Sequence, residues 1–434
     1  MRRFRGCLVE IRRNIGKIRT EDTLLTVKTP EEAVNVIYDR FPKLTSPALV
    51  IETTDALGRV LDGDVFAGEF VPGFDRSMVD GYAVRASDTF GCSDSIPAVL
   101  TLAGEVLMGQ AARAALAPGT CVAVSTGGDL PEGADAVVML EHIEDYKDGL
   151  IGIMSPAAPG NNIIFKGDDV SPGDKALTDG TVISPYDIGI LSALGRSTIN
   201  VRPRPVVGVI STGDELVSTT EIPGRGQIRD VNTPMLLALM EQFGAEAKNY
   251  GIVRDSESEL TSAIALAGAL CDVTLISGGS SAGTRDMTAR VIGALGEILF
   301  HGIAMKPGKP TILGAIGSKP VFGLPGHPVA AWFVTELFVR PLIARLAGNV
   351  LKRRIVTARL SEAISSNHGR AEYIPVELSA DNSGTPDREY ISALPIKSKS
   401  GLISSLASAD GYICIPRDVE GIARNMIVTV TLFT

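Results

Sequence analysis

Apolar positions along the chain change period several times, and the changes mark its organisation. Thr29-Pro30-Glu31-Glu32 reads as a helix start, with Thr29 as N-cap, Pro30 at the first helical position and acids in the first turn. The helix is expected to continue through "EEAVNVIYDRF". From about 48 to 175, short β-rich runs such as "AVLTLAGEV" and "TCVAVST" alternate with Gly, Pro and Asp turns, which predicts a β-rich domain. A proline-punctuated strip, "SPGDKALTDGTVISPYD", then leads into the helical "IGILSALG".

The pattern is clearest from 205 to about 345. "PVVGVIST", "VTLISGG" and "PVFGLPG" are short β-branched runs that end in glycine. Helical periods lie between or after them: "TPMLLALMEQFG", "SELTSAIALAGAL", "TARVIGALG" and "VAAWFVTELFVRPLIARLAG". This alternation predicts an α/β layer with a mainly parallel sheet, whose ligands bind beyond the carboxyl ends of the strands. From about 352 onward "AEYIPVELS", "GYICIP" and "MIVTVTLF" predict a small all-β domain. The fold class is therefore multidomain, α/β plus β.

Composition narrows the function classes. A chain of 434 residues with 45% hydrophobic and 21% charged residues has the make-up of a soluble globular protein of several domains. Its net charge of −9, with no basic stripe interleaved with aromatics, argues against nucleic acid as a partner. No apolar stretch of about 18 residues is free of breakers, so no membrane span is expected. The basic run "MRRFRGCLVEIRRNIGK" lacks the apolar core of a signal peptide and reads as a leader. Five dispersed cysteines without a CxxC pair fit a reducing, cytoplasmic setting. Four histidines without HxxxH or HExxH spacing offer no protein-built zinc site.

Three strand-end loops are the candidates for chemistry. In "STGDEL" (211–216) and "SGGSSAGTRD" (277–286), small residues let the backbone approach a ligand and turn N–H groups toward an anion, helped by the following helix dipole. The candidates there are Ser211, Thr212, Gly213, Ser277, Gly278 and Gly279. Gly278 to Gly283 has P-loop glycine spacing but continues Thr-Arg, which disfavours a Walker ATPase, and no complete GxGxxG follows a strand.

The third candidate is the pair of Pro-Gly segments, "MKPGKPT" and "LPGHP". Pro307 and Gly308 fit the central positions of a type II turn, which makes Lys306 and Lys309 its corners. Two ammonium groups about 7 Å apart repel by about 2 kcal/mol at an effective dielectric near 20, so an enclosed pair calls for a negative partner.

Glu215, Asp255 and Asp286 stand on or near these loops. Asp255 before "SESEL" and Asp286 before "MTARVIG" read as helix caps, and acids beside an anion site also fit Mg²⁺ held against substrate phosphates; the two readings can coexist. In the β-rich region Asp80-Gly81 reads as a hairpin turn, while Thr126 and Asp169 are loop residues.

In chain order, "RSMVDGYAV", "STGGDLPEGADAVVMLE", "GDDVSPGD", "VISTGDEL", "GQIRDVN", "SGGSSAGTRDMT", "AMKPGKPTILG", "GLPGHPVAA" and "SGLISSLASADGYICIP" resemble the molybdopterin molybdenumtransferase family, the MoeA proteins and the C-terminal region of gephyrin. The resemblance covers roughly 30 to 430. It implies insertion of molybdate into adenylylated molybdopterin with release of AMP, dependence on Mg²⁺, and an elongated homodimer. The implied subunit has a linker domain (21–66 and 174–204), a β-rich domain (67–173), a three-layer α/β molybdopterin-binding domain (205–350) and a C-terminal β-domain (351–434), behind a leader of 1–20.

Carried over by motif, the catalytic candidates are Asp80, Thr126, Asp169, Glu215, Asp255, Asp286 and Lys306. Glu215, Asp255 and Asp286 are the metal candidates, and Lys309, Pro325, Gly326 and Pro328 join the ligand-binding loops. The chain departs from the pattern at His327, where the family commonly has Asn, at Gly302, where some relatives have a basic residue, and in "NNIIFKGDD", which carries fewer arginines.

The alternative functions are an adenylyltransferase acting one step earlier and a noncatalytic gephyrin-like scaffold. Tungstate is an alternative to molybdate, since both are tetrahedral dianions. The enzyme of the preceding adenylylation step is the expected protein partner.

Overall fold

The structure is a computed structural model that describes residues 27–113, 115–278, 282–381, 390–397 and 399–433. The leader and Gly279 lie outside the described residues. The chain forms two compact units, one of Val50–Leu57 and Leu61–Val201 and the other of Met1–Leu49, Gly58–Val60 and Arg202–Thr434.

The predicted first helix, α1 (Pro30–Arg40), belongs to the larger unit. Thr29 Oγ1 accepts from the Glu32 N–H while the Glu32 carboxylate accepts from the Thr29 N–H, a reciprocal capping box. Ala33, Ile37 and Phe41 bury that helix's apolar side in the core of the unit.

The smaller unit is built on a six-stranded mixed sheet. Its strands are β1 (Gly81–Val84), β2 (Ala98–Val106), β3 (Thr120–Val124), β4 (Ala136–Met139), β5 (Ile143–Asp145) and β6 (Leu150–Ile153), in the order β4–β1–β3–β2–β6–β5. Val84 and Val138 enter one core and Ala83 and Val137 another, so both faces are covered. This is why β1 and β4 read as short continuous apolar runs. The hairpin expected at Asp80-Gly81 is absent. Gly81 opens β1 and pairs with Val124 and Met139, so the dipeptide sits at a strand entrance instead of a tip. Helix α2 (Pro185–Ala193) starts from a capping box of Ser184 and Asp187 and buries Leu191 against Ala56, Leu61 and Val201.

The larger unit contains an α/β layer and a barrel. The layer comprises β7 (Val206–Thr212), α3 (Asn232–Gln242), β8 (Glu246–Val253), α4 (Glu257–Leu270), β9 (Val273–Gly278), α5 (Ala282–Leu295) and β10 (Glu297–His301). After β11 (Met305–Lys306) it continues with β12 (Ile312–Ile316), β13 (Lys319–Leu324), α6 (Pro328–Val334) and α7 (Arg340–Ala347). The sheet order is β8–β7–β9–β13–β12–β10. The first four strands are parallel, and β12 runs antiparallel to both its neighbours. The long helix expected over 329–348 is interrupted by a π-helical turn, Thr335–Val339. There Glu336 is buried and accepts two bonds from Arg340 Nη1, at 2.9 and 3.0 Å. Burial pushes the Glu336 carboxyl above its ordinary range, and Arg340 and Arg353 oppose that shift.

The C-terminal strands β14 (Ile355–Leu360), β15 (Ala371–Asp381), β16 (Tyr390–Pro395), β17 (Gly411–Ile415) and β18 (Ile427–Leu432) form a sheet closed by the β15–β17 pairing, with Leu360, Val376, Ile413 and Val430 inside. The short β11 leaves the α/β layer to pair in parallel with β15, setting Lys306 opposite Glu372. This register brings the "MKPGKPT" segment to the barrel.

Candidate functional site

The carboxyl ends of β7, β9 and β13 lie side by side. Thr212 is in register with Gly278, and Ser277 with Leu324. A Cβ on Gly278 would stand 2.0 Å from the Thr212 carbonyl oxygen, so only glycine allows the two strand ends to approach this closely. Ser211, Thr212 and Ser277 are buried and hydrogen bonded: Ser211 Oγ lies 2.7 Å from Thr233 Oγ1, Thr212 Oγ1 donates to Asp255 Oδ1 at 2.9 Å, and Ser277 Oγ accepts from Asn232 Nδ2 at 2.8 Å. Asn232 also donates to the Gly326 carbonyl at 2.9 Å, tying the second Pro-Gly segment to the edge of the sheet.

Two of the three metal candidates flank this edge. The Glu215 carboxylate folds back over Gly213, and Asp255 is oriented by Thr212. The capping expectation fails for both aspartates. Ser256 occupies the N-cap of α4, so Asp255 lies outside the helix. Asp286 is exposed in the second turn of α5, past the four N–H groups that a cap serves. Among the described residues, no three His, Cys, Asp or Glu side chains gather into a ready metal cage.

The Pro-Gly segments differ from each other and from the expected type II turn. Gly308 takes φ +113°, as expected, but the Lys306–Pro307 peptide is cis. The segment is held by Ile303 N–H donating to the Lys309 carbonyl and by Thr311 Oγ1 donating to the Gly308 carbonyl. Gly326 takes no positive φ, because its segment runs straight into α6 with His327 at the N-cap and Pro328 at the first position. His327 Nδ1 lies 2.8 Å from Ser400 Oγ, a link across to the barrel.

Both segments line one cleft of about 970 Å³ between the α/β layer and the barrel. Pro325 and Gly326 come from the layer, Lys306 and Lys309 from the segment that leaves it at β11, and Arg370, Glu372, Lys397, Lys399 and Ser400 from the barrel side. Lys306 Nζ pairs with Glu372 Oε1 at 2.7 Å, so the chain itself supplies a negative partner to this half-exposed lysine. Lys397 pairs with Glu362 at 2.7 Å.

Asp80, Thr126 and Asp169 lie in the smaller unit. Asp80 Oδ1 accepts from the Thr126 backbone N–H at 2.8 Å and from its Oγ1 at 3.2 Å, so these two act as a pair. Asp169 is exposed and lines a separate depression of that unit with Asp174, Lys175 and Tyr186.

Comparison with known proteins matches three regions of the chain. Residues 28–195 match the MoeA N-terminal region (domain I and II), 208–345 a probable molybdopterin binding domain, and 357–433 the MoeA C-terminal region (domain IV). The chain is 34% identical to a putative molybdopterin biosynthesis protein of Methanocaldococcus jannaschii, over 94% of this chain and 98% of that one. The chain belongs to the MoeA family. Molybdopterin molybdenumtransferase 1 of Mycobacterium tuberculosis is 34% identical over 88% of this chain and 93% of its own. The crystal structure of the molybdopterin biosynthesis MoeA protein of Pyrococcus horikoshii OT3 superposes with a TM-score of 0.80 at 35% identity, covering 94% of this chain and all of that one.

Within this MoeA-family chain, sequence reasoning passed over the barrel's share of the cleft. "GRAEY" and "KSKSG" contain Arg370, Glu372, Lys399 and Ser400, but nothing local marks them as neighbours of Lys306. Asn232 stood in a quoted motif without a role, and its buried position between two loop ends was the missing information.

Proposed function

We propose that the protein is a molybdopterin molybdenumtransferase that inserts molybdate into adenylylated molybdopterin and releases AMP, in molybdenum cofactor biosynthesis. The observation that carries this reading is the cleft, in which five cationic side chains of a chain with net charge −9 meet across two folded layers. Phosphate, molybdate and AMP are all anions. Beyond a Debye length of about 8 Å the acidic surface is screened, so a local cluster captures them. Lys306 and Lys309 neutralise oxyanions, and the Pro325-Gly326 segment, pinned by Asn232, gives the ligand a fixed wall.

The donor set fits Mg²⁺, which takes one or two carboxylates and completes its shell with water and substrate phosphate. Asp255, oriented by Thr212, and Glu215 would hold it, with Asp286 as a third carboxylate on α5. When bound, the cation polarises a phosphoryl oxygen and offsets its developing charge. Asp80, Thr126 and Asp169 complete the set of proposed catalytic residues, and the four-part domain division and cytoplasmic location belong to the same proposal. Purified protein given adenylylated molybdopterin, molybdate and Mg²⁺ is expected to release AMP and form the metallated cofactor. AMP release that ignores added molybdate, or turnover only with ATP and free molybdopterin, would replace this reading with another. Competition of tungstate against molybdate, read by elemental analysis of the product, identifies the oxyanion.

A homodimer is part of the proposal and rests on the family layout. Sedimentation at micromolar concentration is expected to give twice the 45.6 kDa chain mass; a purely monomeric species would remove the dimer.

A further inference from the structure

Among the described residues lining the cationic cleft, Glu372 is the only carboxylate. It is held on both oxygens: Oε1 pairs with Lys306 Nζ at 2.7 Å, and Oε2 accepts from Ser366 Oγ at 2.8 Å. Its side chain is 13% exposed, against 56% for Lys306. The parallel β11–β15 register sets the two residues opposite each other, so the pairing is a feature of the fold.

An ammonium has three donors, and Glu372 takes one. A second oxygen bonded to the same nitrogen then sits about 4.5 Å from the carboxylate oxygen, given tetrahedral donors and ordinary bond lengths. Any oxyanion that reaches Lys306 is therefore attracted by the lysine and repelled by Glu372. A lone tetrahedral dianion bears that repulsion in full. A substrate with several anionic groups spreads its contacts over Lys309, Arg370 and Lys399 as well, and loses a smaller share of its affinity.

We infer that Glu372 is a specificity-determining residue of the cleft: by holding Lys306 it weakens capture of free sulfate- and phosphate-class dianions and so favours the multiply charged substrate. The inference rests on the anion-cleft reading above. It runs against the simplest expectation for a carboxylate in an anion site, which is that its loss costs affinity.

The test is inorganic sulfate binding by calorimetry to the full chain and to three variants. Glu372→Gln keeps the shape and a Ser366 acceptor but removes the charge; it is expected to bind sulfate about two- to fivefold more tightly than the parent, the scale of one partly exposed ion pair. Sulfate should also inhibit its turnover at correspondingly lower concentration, with a smaller change in KM for the pterin substrate. Ser366→Ala leaves the charge in place and is expected to bind sulfate like the parent. Lys306→Ala should lose sulfate binding, and that result alone supports the anion cleft whatever Glu372→Gln does. Unchanged or weaker sulfate binding by Glu372→Gln overturns the inference, as does an equal gain in Ser366→Ala, which would trace the effect to loosened packing. Absence of sulfate binding in the parent and all variants overturns the inference and the anion cleft together.

Discussion

Asp255→Asn is expected to lower turnover by about 10- to 100-fold, the usual cost of disturbing the groups around a bound metal, with unfolding stability changed by about 1 kcal/mol or less. The asymmetry follows from where Asp255 sits. Ser256 is the N-cap of α4, and Asp255 precedes it, outside the helix. Asn also retains one oxygen to accept the Thr212 Oγ1 bond that orients Asp255. What it lacks is the charge that balances a divalent cation against substrate phosphate. Part of the lost activity should return at raised Mg²⁺, because a weakened site is refilled by mass action. Asp286→Asn tests the same idea on the exposed face of α5. If both variants turn over like the parent in a Mg²⁺ titration, the carboxylates do not hold the cation.

Much of the α/β layer was legible because its central strands are buried on both faces and so read as unbroken β-branched runs. Its edge strand β8 was not, because Glu246, Lys248 and Asn249 face solvent and hide the apolar period. The π-turn was hidden for the opposite reason. Residues 328–339 are buried all round, so there is no polar face whose shift could show the extra residue. The site divides along the same line. Strand-end glycines and Pro-Gly pairs announce a backbone that must bend or approach closely, so the loops were found. The Lys306–Glu372 pairing depends on β-strand register between distant segments, which no local pattern encodes. The capping errors have a local cause: an acid just before a helical period looks the same whether it caps the helix, lies one residue outside it, as Asp255 does, or lies a turn inside it, as Asp286 does.

Lys306→Ala and Gly308→Val are adjacent in the chain but should fail in different ways. Removing the lysine deletes one charge-assisted contact, worth roughly 1.5 to 3 kcal/mol, so oxyanion and adenylylated-pterin affinity should fall by about one to two orders of magnitude. It also leaves Glu372 facing the ligand without its counter-charge, which adds to the loss. The Lys306 side chain is more than half exposed, and the turn is held by the Ile303 N–H on the Lys309 carbonyl and the Thr311 hydroxyl on the Gly308 carbonyl, so melting should stay normal. Gly308 is buried at φ +113°, and a Cβ there would lie 2.9 Å from Val334 Cγ2 and 3.1 Å from Met305 Cε, both of them fully buried side chains. A β-branched residue adds about 1–3 kcal/mol of backbone strain to about 1–3 kcal/mol of overpacking, so Gly308→Val should melt earlier as well as bind poorly. The displaced turn carries Lys306 and Lys309 with it, so this variant should lose the contributions of both cations where Lys306→Ala loses one. Calorimetric binding read beside thermal melting separates the two cases. Parental affinity in Lys306→Ala would reduce "MKPGKPT" to a solvated turn, and normal melting of Gly308→Val would mean that the packing around Gly308 yields more easily than those contacts allow.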